Sequence, residues 1–306
     1  MADPTPTNTV PPALKTSGLT LPRDVAAAII KGARNASTVA ILSGKEPMIY
    51  ADHGYMVFSE SGEAQVLGEG AAQTSTAHTP TSVTATKYRV TTTQRVTEES
   101  LYADEDSRLN IVNSIQTLQA EAIGRAIDYI VYHGVNPATG TALTGFTGIV
   151  GASGAKTVTA TADAVADFDS LVGKVIDDFD VNGIAMARGF ANDLRVARTK
   201  NGTRLYPEIP LTLAPGQIEG INAATSNTVN GKALTTASKV KAILGDFSLI
   251  KYGIMRDVTT EVIAYGNPDG GASDLKATGE VALRTTAEIA VAILDPLAFA
   301  ILKSAA

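Results

Sequence analysis

The stretch that decides the fold runs from Thr97 to Gly134 and reads TEESLYADEDSRLNIVNSIQTLQAEAIGRAIDYIVYHG. Apolar residues return every three or four positions along it, which is the pattern of an amphipathic helix. Acidic residues crowd its start, where the helix dipole favours negative charge, and Gly134 suits a left-handed C-cap. The sequence therefore predicts one long helix, roughly 43 Å from Asp104 to Tyr132 at 1.5 Å per residue. The stripe expected to be buried is Leu109, Val112, Ile115, Gln119, Ala122, Ile123, Ala126, Ile127 and Ile130.

The segment before this helix has the character of a β-ribbon. Strands are predicted at Tyr55–Phe58 and Gln65–Leu67, and Thr81–Thr97 is rich in β-branched residues, as expected for one long strand. Two-stranded ribbons are marginal in water, so this one should lie on another surface, such as a neighbouring subunit. The pattern is equally compatible with a sheet element folded back on its own domain.

The rest of the chain predicts a mixture of helices and strands, an α+β fold. The N-terminal 22 residues hold five prolines and favour an extended arm, followed by a short helix at Pro22–Asn35. Beyond Gly134 the periodicity predicts two more helices, a buried strand and a strand-rich tail. These are Ala162–Asp180 and Phe190–Thr199 for the helices, and Ile184–Ala187, Leu249–Met255, Val258–Tyr265 and Glu280–Leu294 for the strands.

Composition excludes several classes of function. The chain has 306 residues, 44% of them hydrophobic, which is ample material for a core. It has no Cys, and so no disulfide or thiolate chemistry. The net charge of −6 argues against a general nucleic-acid binder, although residues 1–45 carry +3 and the remainder −9. No apolar run is long enough to span a membrane, and no membrane partner is expected.

Catalytic and binding motifs are close to absent. His53, His78 and His133 lack metal-ligand spacing and are expected at the surface or at caps. The aspartates between Asp163 and Asp180 fall at the start, polar face and end of one predicted helix, so a solvated face is favoured over acid–base chemistry. Asn267, Asp269 and Asp274 lie in a Gly-rich loop, but they miss the calcium-binding loop pattern. We therefore expect no catalytic residue, no metal site and no cofactor.

The order of the segments, together with several short motifs, resembles the major capsid protein of tailed bacteriophages, the HK97-type family. The resemblance covers nearly the whole chain. No single motif is diagnostic, and the resemblance depends on their occurring together in this order. They are Glu69-Gly70…Pro80…Lys87, Glu99–Leu101, Asn201-Gly202…Arg204-Leu205-Tyr206, Gly245-Asp246-Phe247 and Pro296…Ala298-Phe299.

The resemblance implies an HK97-like fold in four parts. Residues 1–45 would form the N-arm with its short helix, and residues 46–97 the extended hairpin called the E-loop. Residues 98–160 and 251–294 would form the P-domain with the long spine helix, and residues 161–250 and 295–306 the mixed A-domain. It also implies a function, the self-assembly of pentamers and hexamers into an icosahedral shell around double-stranded DNA. Assembly in the bacterial host cytoplasm, a portal and possible decoration proteins belong to the same expectation.

Two departures from the family carry further expectations. Many relatives begin with a long cleaved scaffolding region, whereas only about 45 residues precede the E-loop here. We expect a separate scaffolding protein, or an unprocessed chain that needs none. Some relatives join subunits covalently through an E-loop Lys, but no Lys or Arg lies between Glu46 and Thr86. Non-covalent contacts are therefore expected, with Glu60, Glu63 and Glu69 meeting basic residues of a neighbour. The other candidate contact residues are Arg108, Glu121, Arg125 and Arg284.

Two alternatives stay open on sequence grounds. An encapsulin would have the same fold and enclose cargo enzymes, although encapsulins usually carry a helix where this chain has a Pro-rich arm. An uncharacterised hydrolase, which is a function of another class, would need a catalytic cluster, and the sequence offers none.

Overall fold

The computed structural model describes residues 37–44, 46, 53–58, 66–70, 72, 80–107, 111–232, 234, 238–270 and 273–305. The predicted long helix is present as α2 (Glu98–Ser107) and α3 (Ile111–Asp128), and α3 continues into a π-helical turn at Tyr129–His133. Gly134 closes it with φ 62°, the left-handed C-cap expected from the sequence. The predicted helix at Pro22–Asn35 lies outside the described residues.

The apolar stripe of α3 packs on a three-stranded antiparallel sheet. Its strands are β3 (Thr86–Thr97), β9 (Ile250–Ile263) and β10 (Glu280–Ile293), in the order β3-β10-β9. Gln119, the one polar member of the stripe, is buried because the central strand satisfies it. Its Nε2 donates to the Leu283 carbonyl at 2.9 Å, and its Oε1 accepts from Thr285 Oγ1 at 2.7 Å.

The ribbon prediction is partly wrong. A two-stranded hairpin forms between β1 (Gly54–Phe58) and β2 (Pro80–Thr84), but the strand expected to run unbroken from Thr81 to Thr97 changes sheet at Ala85. Beyond that residue, β3 pairs with β10 over twelve residues and is an ordinary element of its own subunit. Val66 and Leu67, predicted as a strand, are not in one. Alternating β-branched residues suit both sheets, so the pattern carries no mark of the change.

The second sheet is mixed, with six strands in the order β4-β11-β8-β5-β7-β6. Its pairs β4–β11 and β5–β7 are parallel and the others antiparallel. The strands are β4 (Lys156–Thr159), β5 (Gly183–Met186), β6 (Gln217–Ile218), β7 (Ile221–Thr225), β8 (Val240–Gly245) and β11 (Phe299–Lys303). The described helices after the spine include α4 (Ala164–Val175), α5 (Arg188–Val196) and α6 (Leu275–Thr278).

Helix α4 corrects the reading of the aspartate-rich stretch. Asp163 is its N-cap, accepting from Val165 N at 3.0 Å. Asp167 was expected on a solvated face but is buried, because its carboxylate accepts from the backbone N–H of Thr161 at 2.9 and 3.0 Å and from the Thr161 hydroxyl at 2.8 Å. It holds the chain that enters the helix.

The core is continuous between the two sheets. One buried cluster joins the end of α3 to both of them, through Ile127, Ile289, Ile243 and the edge-to-face pair Phe247–Phe299, whose ring centroids are 5.7 Å apart. A second cluster fills the space between the six-stranded sheet and helices α4 and α5. A short helix α1 (Thr38–Leu42) packs into the first cluster through Val39.

Candidate assembly surfaces

The outer face of the β1–β2 hairpin is apolar and exposed. Met56 and Phe58 lie two residues apart on one face, with 68% and 61% of their surface accessible. Their partners across the hairpin are Ser82 and Pro80, which are also exposed. Burying Met56 and Phe58 would contribute about 1.5–3 kcal/mol each. Adjacent exposed apolar side chains on a marginally stable ribbon indicate a contact surface.

The base of the hairpin is anchored to β9. Glu46 accepts from Lys251 Nζ at 2.5 Å and from the Tyr55 hydroxyl at 3.2 Å. The hydrogen bond from Lys251 lowers the pKa of Glu46. Burial, followed by the nearby Glu46 charge, raises the pKa of Tyr55 to about 12. These contacts fix where the hairpin leaves the body of the subunit.

The far end of the three-stranded sheet is ordered by one arginine. Arg95 is buried on β3, and its guanidinium holds the loop between β9 and β10 through Asp269, Asn267 at 2.9 Å and the Ser273 carbonyl at 3.3 Å. It also pairs with Glu280 at 3.1 Å. Arg95 thus binds the side-chain oxygens of Asn267 and Asp269, two of the three residues that were compared with a calcium-binding loop. Asp274, the third of that set, caps α6 instead.

The predicted contact residues are spread over several elements. Glu69 is exposed, and Glu121 and Arg125 are half-buried on α3. Arg284 is half-buried on β10, where its Nε donates to Thr93 Oγ1 at 3.2 Å and its Nη2 donates to the Pro268 carbonyl. Glu60, Glu63 and Arg108 lie outside the described residues. The structure therefore describes four of the seven: Glu121 and Arg125 lie one turn apart on α3, whereas Glu69 and Arg284 lie on other segments.

Arg125 lines a cleft of about 480 Å³ between α3 and the outer strand β3. The other walls are mainly apolar and come from both elements and from the loop after the π-turn, for example Tyr88, Val90, Ala126 and Pro137. Among the described strands, β3 is an edge strand of its sheet, and the cleft runs beside it. Such a cleft can accept an extended segment of another chain.

A buried carboxylate at the end of α3 was not anticipated. Asp128 is inaccessible to solvent and accepts hydrogen bonds from Ser37, Thr38, Val39 and Thr228. One signal in the sequence could have found it. An acidic residue in the last turns of a helix opposes the helix dipole and needs a local reason to be there. The sequence gives no comparable indication for Arg95, because the side chain of a single arginine in a Thr-rich strand is expected to be exposed.

The described part of the chain holds no cluster of three or more side chains suited to a metal ion. The ring of His53 lies against that of Tyr55 in a tilted arrangement, with centroids 4.9 Å apart. His133 is hydrogen-bonded through Nε2 to the Thr228 carbonyl at 2.9 Å. His78 is outside the described residues. None of the described helices is long and apolar enough to cross a membrane.

Comparison with known proteins assigns the family. The Phage capsid family model matches residues 17–304. The chain belongs to the phage capsid family. A solved chain from Mycobacterium phage Ogopogo is 32% identical, with a TM-score of 0.81 over 96% of this chain and 100% of that one. This capsid protein is therefore a structural component of a virion shell. A comparison with curated proteins gave no match.

More distant structures share the fold. A chain from Gordonia phage Cozz is 24% identical, with a TM-score of 0.73 over 94% of the capsid protein and 92% of its own length. A chain from the capsid of an empty GTA particle computed with C5 symmetry is 15% identical, with a TM-score of 0.62 over 100% and 96% of the two chains. The HK97-like α+β fold expected from the sequence is confirmed. Its division into N-arm, E-loop, P-domain and A-domain at the predicted boundaries stays a prediction.

Proposed function

We propose that this capsid protein assembles into pentamers and hexamers that close an icosahedral shell around double-stranded DNA. The observation that carries the proposal is the 32% identity to the Ogopogo phage chain over essentially the whole of both chains. The likeness covers 96% of this chain and 100% of that one, so it supports the proposal for the chain as a whole and not for one segment of it.

The hairpin supplies the proposed contact between subunits. Its apolar face, Met56 and Phe58, would pack on a neighbouring copy and remove that surface from water. The acids Glu60, Glu63 and Glu69 would approach basic residues of that copy. Arg125 fits this role through its position in the cleft beside β3, and Glu121 lies on the same helix. Arg108 is a further candidate. Arg284 would have to exchange its contacts with Thr93 and Pro268 to take part.

Each ionic contact would be weak, at most about 1 kcal/mol for an exposed pair. Because a shell contains many copies of the chain, the sum of these ionic contacts would still stabilise it. The remaining proposed partners are a separate scaffolding protein, a portal, possible decoration proteins and packaged DNA bound without sequence recognition. Assembly would take place in the cytoplasm of the bacterial host.

The test is production of the full chain alone and together with its candidate scaffolding protein, followed by sedimentation and electron microscopy. We expect closed particles tens of nanometres wide with fivefold vertices. A monodisperse monomer under all salt conditions, with and without scaffold, would contradict the proposal. Particles filled with a cargo enzyme and lacking a portal would favour an encapsulin. Enzymatic turnover by the purified chain that is lost on alanine substitution of His53, His78 and His133 would favour the hydrolase alternative.

A further inference from the structure

Three segments that are distant in sequence meet at the carboxylate of Asp128. Oδ1 accepts from Ser37 Oγ at 2.5 Å and from the Val39 N–H at 3.1 Å. Oδ2 accepts from the Thr38 N–H and hydroxyl, both at 3.0 Å, and from Thr228 Oγ1 at 2.6 Å. Asp128 therefore caps the first turn of α1 and also holds the loop after β7. We call this set the Asp128 junction.

The junction requires a carboxyl group rather than another polar side chain. Each of its two oxygens faces one backbone N–H, and a backbone N–H can only donate. An asparagine at this position would direct its NH₂ group at Thr38 N in one orientation and at Val39 N in the other. One donor would then face another donor in the interior, where an unsatisfied polar group is costly. Only a group that accepts on both sides fits.

The hydroxyl groups around the carboxylate are ordered in a chain. The single hydrogen of Thr38 Oγ1 points to Asp128, so Tyr132 Oη, 2.8 Å away, must donate to Thr38. Thr228 Oγ1 also lies 2.8 Å from Ser226 Oγ, a second acceptor for its hydroxyl group. Hydrogen bonds in such a chain strengthen one another, because each one polarises the next. Loss of the contact at one end therefore weakens the contacts at the other.

We propose that the Asp128 junction couples α1 to the loop after β7, so that the two segments open together as one unit. Helix α1 leads back to the N-terminal region, and the loop leads on to β8 in the middle of the six-stranded sheet. A pull on the N-terminal region would thus reach that sheet through the Asp128 carboxylate, in addition to the direct packing of α1 on β5 and β7. This inference goes beyond shell formation and holds for the subunit whether or not it assembles.

The test is hydrogen exchange, followed by mass spectrometry, on full-length variants held in one oligomeric state. Thr228→Val removes the loop's hydroxyl without touching α1. We expect exchange in the peptide 37–43 to rise about tenfold, as for the loss of a hydrogen bond to a charged group. Ser37→Ala should raise exchange in residues 226–231 by a similar factor, because coupling is reciprocal. Thr228→Ser, which keeps the hydroxyl, should restore protection of α1.

The control is Thr285→Val, which removes another buried hydroxyl, the one that Gln119 accepts from. It should leave both segments close to wild type. The inference is overturned if Thr228→Val raises exchange only in its own loop, or if Thr285→Val loosens α1 equally. Should Thr228→Val fail to fold, Ser37→Ala read at residues 226–231 decides in its place. None of these readouts depends on particle formation, so failure here is distinct from failure of the proposed function.

Discussion

The guanidinium of Arg95 and the carboxylate of Asp269 meet through two parallel hydrogen bonds, from Nε to Oδ2 at 2.7 Å and from Nη2 to Oδ1 at 2.5 Å. This bidentate geometry connects the far end of β3 to a loop residue 174 positions later in the chain. The hydrogen bonds to Asp269 raise the pKa of Arg95 and outweigh burial, which lowers it. The guanidinium therefore stays charged.

Arg95→Met should destabilise the unassembled subunit by about 2 kcal/mol, because it leaves Asp269 and Glu280 without their cation. Both acids keep some access to water, which limits the loss. The free energy of unfolding of Arg95→Lys should lie between those of the wild type and Arg95→Met. Lysine keeps the positive charge but lacks the planar guanidinium that donates two parallel hydrogen bonds. Urea unfolding measures the difference. Lys276→Met, at an exposed pair with Glu98, is the matched control and should cost under about 0.5 kcal/mol. Equal losses at both sites would contradict the assigned role of Arg95.

Two glycine-to-alanine changes should have opposite effects on stability. A Cβ on Gly148 would lie 2.4 Å from the backbone nitrogen of Gly134 and 2.6 Å from the Tyr132 carbonyl oxygen, so the loop would have to move. We expect a loss of more than about 2 kcal/mol or no folded product. Gly173 sits inside α4 with nothing within 4 Å of its Cβ position, and Gly173→Ala should stabilise by about 0.5–1 kcal/mol. Thermal unfolding of the two variants side by side checks the contrast.

His133 should make the subunit less stable in acid. Burial lowers its pKa below the ordinary 6.5, and its Nε2–H donates to the Thr228 carbonyl in the neutral ring. The unfolded chain then binds a proton at a pH where the folded chain does not, so stability falls as the pH drops through about 6.5. His133→Gln should remove this part of the pH dependence. Unfolding free energies measured between pH 5.5 and 7.5 test it, and parallel curves for both proteins would refute the assignment.

Replacing both Met56 and Phe58 by serine should prevent particle formation while leaving the subunit folded. The two side chains are exposed, so their loss costs the isolated subunit little, but a neighbouring copy would lose an apolar contact of about 3–6 kcal/mol. Sedimentation reports assembly, and circular dichroism reports the fold. Replacing both residues by leucine keeps the apolar face and should restore particles. Normal assembly of the serine variant would remove the hairpin from the proposed interface.

The sequence predicted the elements whose periodicity is set by one buried face. The end of the spine helix at Gly134, helix α4 and the late strand Glu280–Leu294 follow from apolar spacing and caps, and each is found within a few residues of its expected place. The two strands predicted at Leu249–Met255 and Val258–Tyr265 are instead one continuous strand, β9. The strand at Ile184–Ala187 was predicted because four consecutive small or apolar residues have no polar side, and it is found at Gly183–Met186.

The candidate surfaces were harder to predict, because they depend on pairings between distant segments. Nothing local tells that Arg95 meets Asp269, or that Asp128 meets Ser37 and Thr228. The switch of sheets at Ala85 was missed for the same reason, since a strand's sequence states which faces are buried and not which strand lies beside it. The predicted contacts between subunits depend on a second copy of the chain, which one subunit cannot supply.

That switch at Ala85 has a mechanical consequence. Strand β2 belongs to the hairpin and β3 to the three-stranded sheet, and a single residue, Ala85, separates them along the chain. A rotation at Ala85, where the hairpin joins the end of the sheet, would therefore move the tip of the hairpin most. Its five paired residues reach about 17 Å, so a rotation of roughly 10° at Ala85 would displace Phe58 by about 3 Å. In the proposed assembly, a small change in the twist of the sheet would therefore alter the contact of Met56 and Phe58 with the neighbouring subunit.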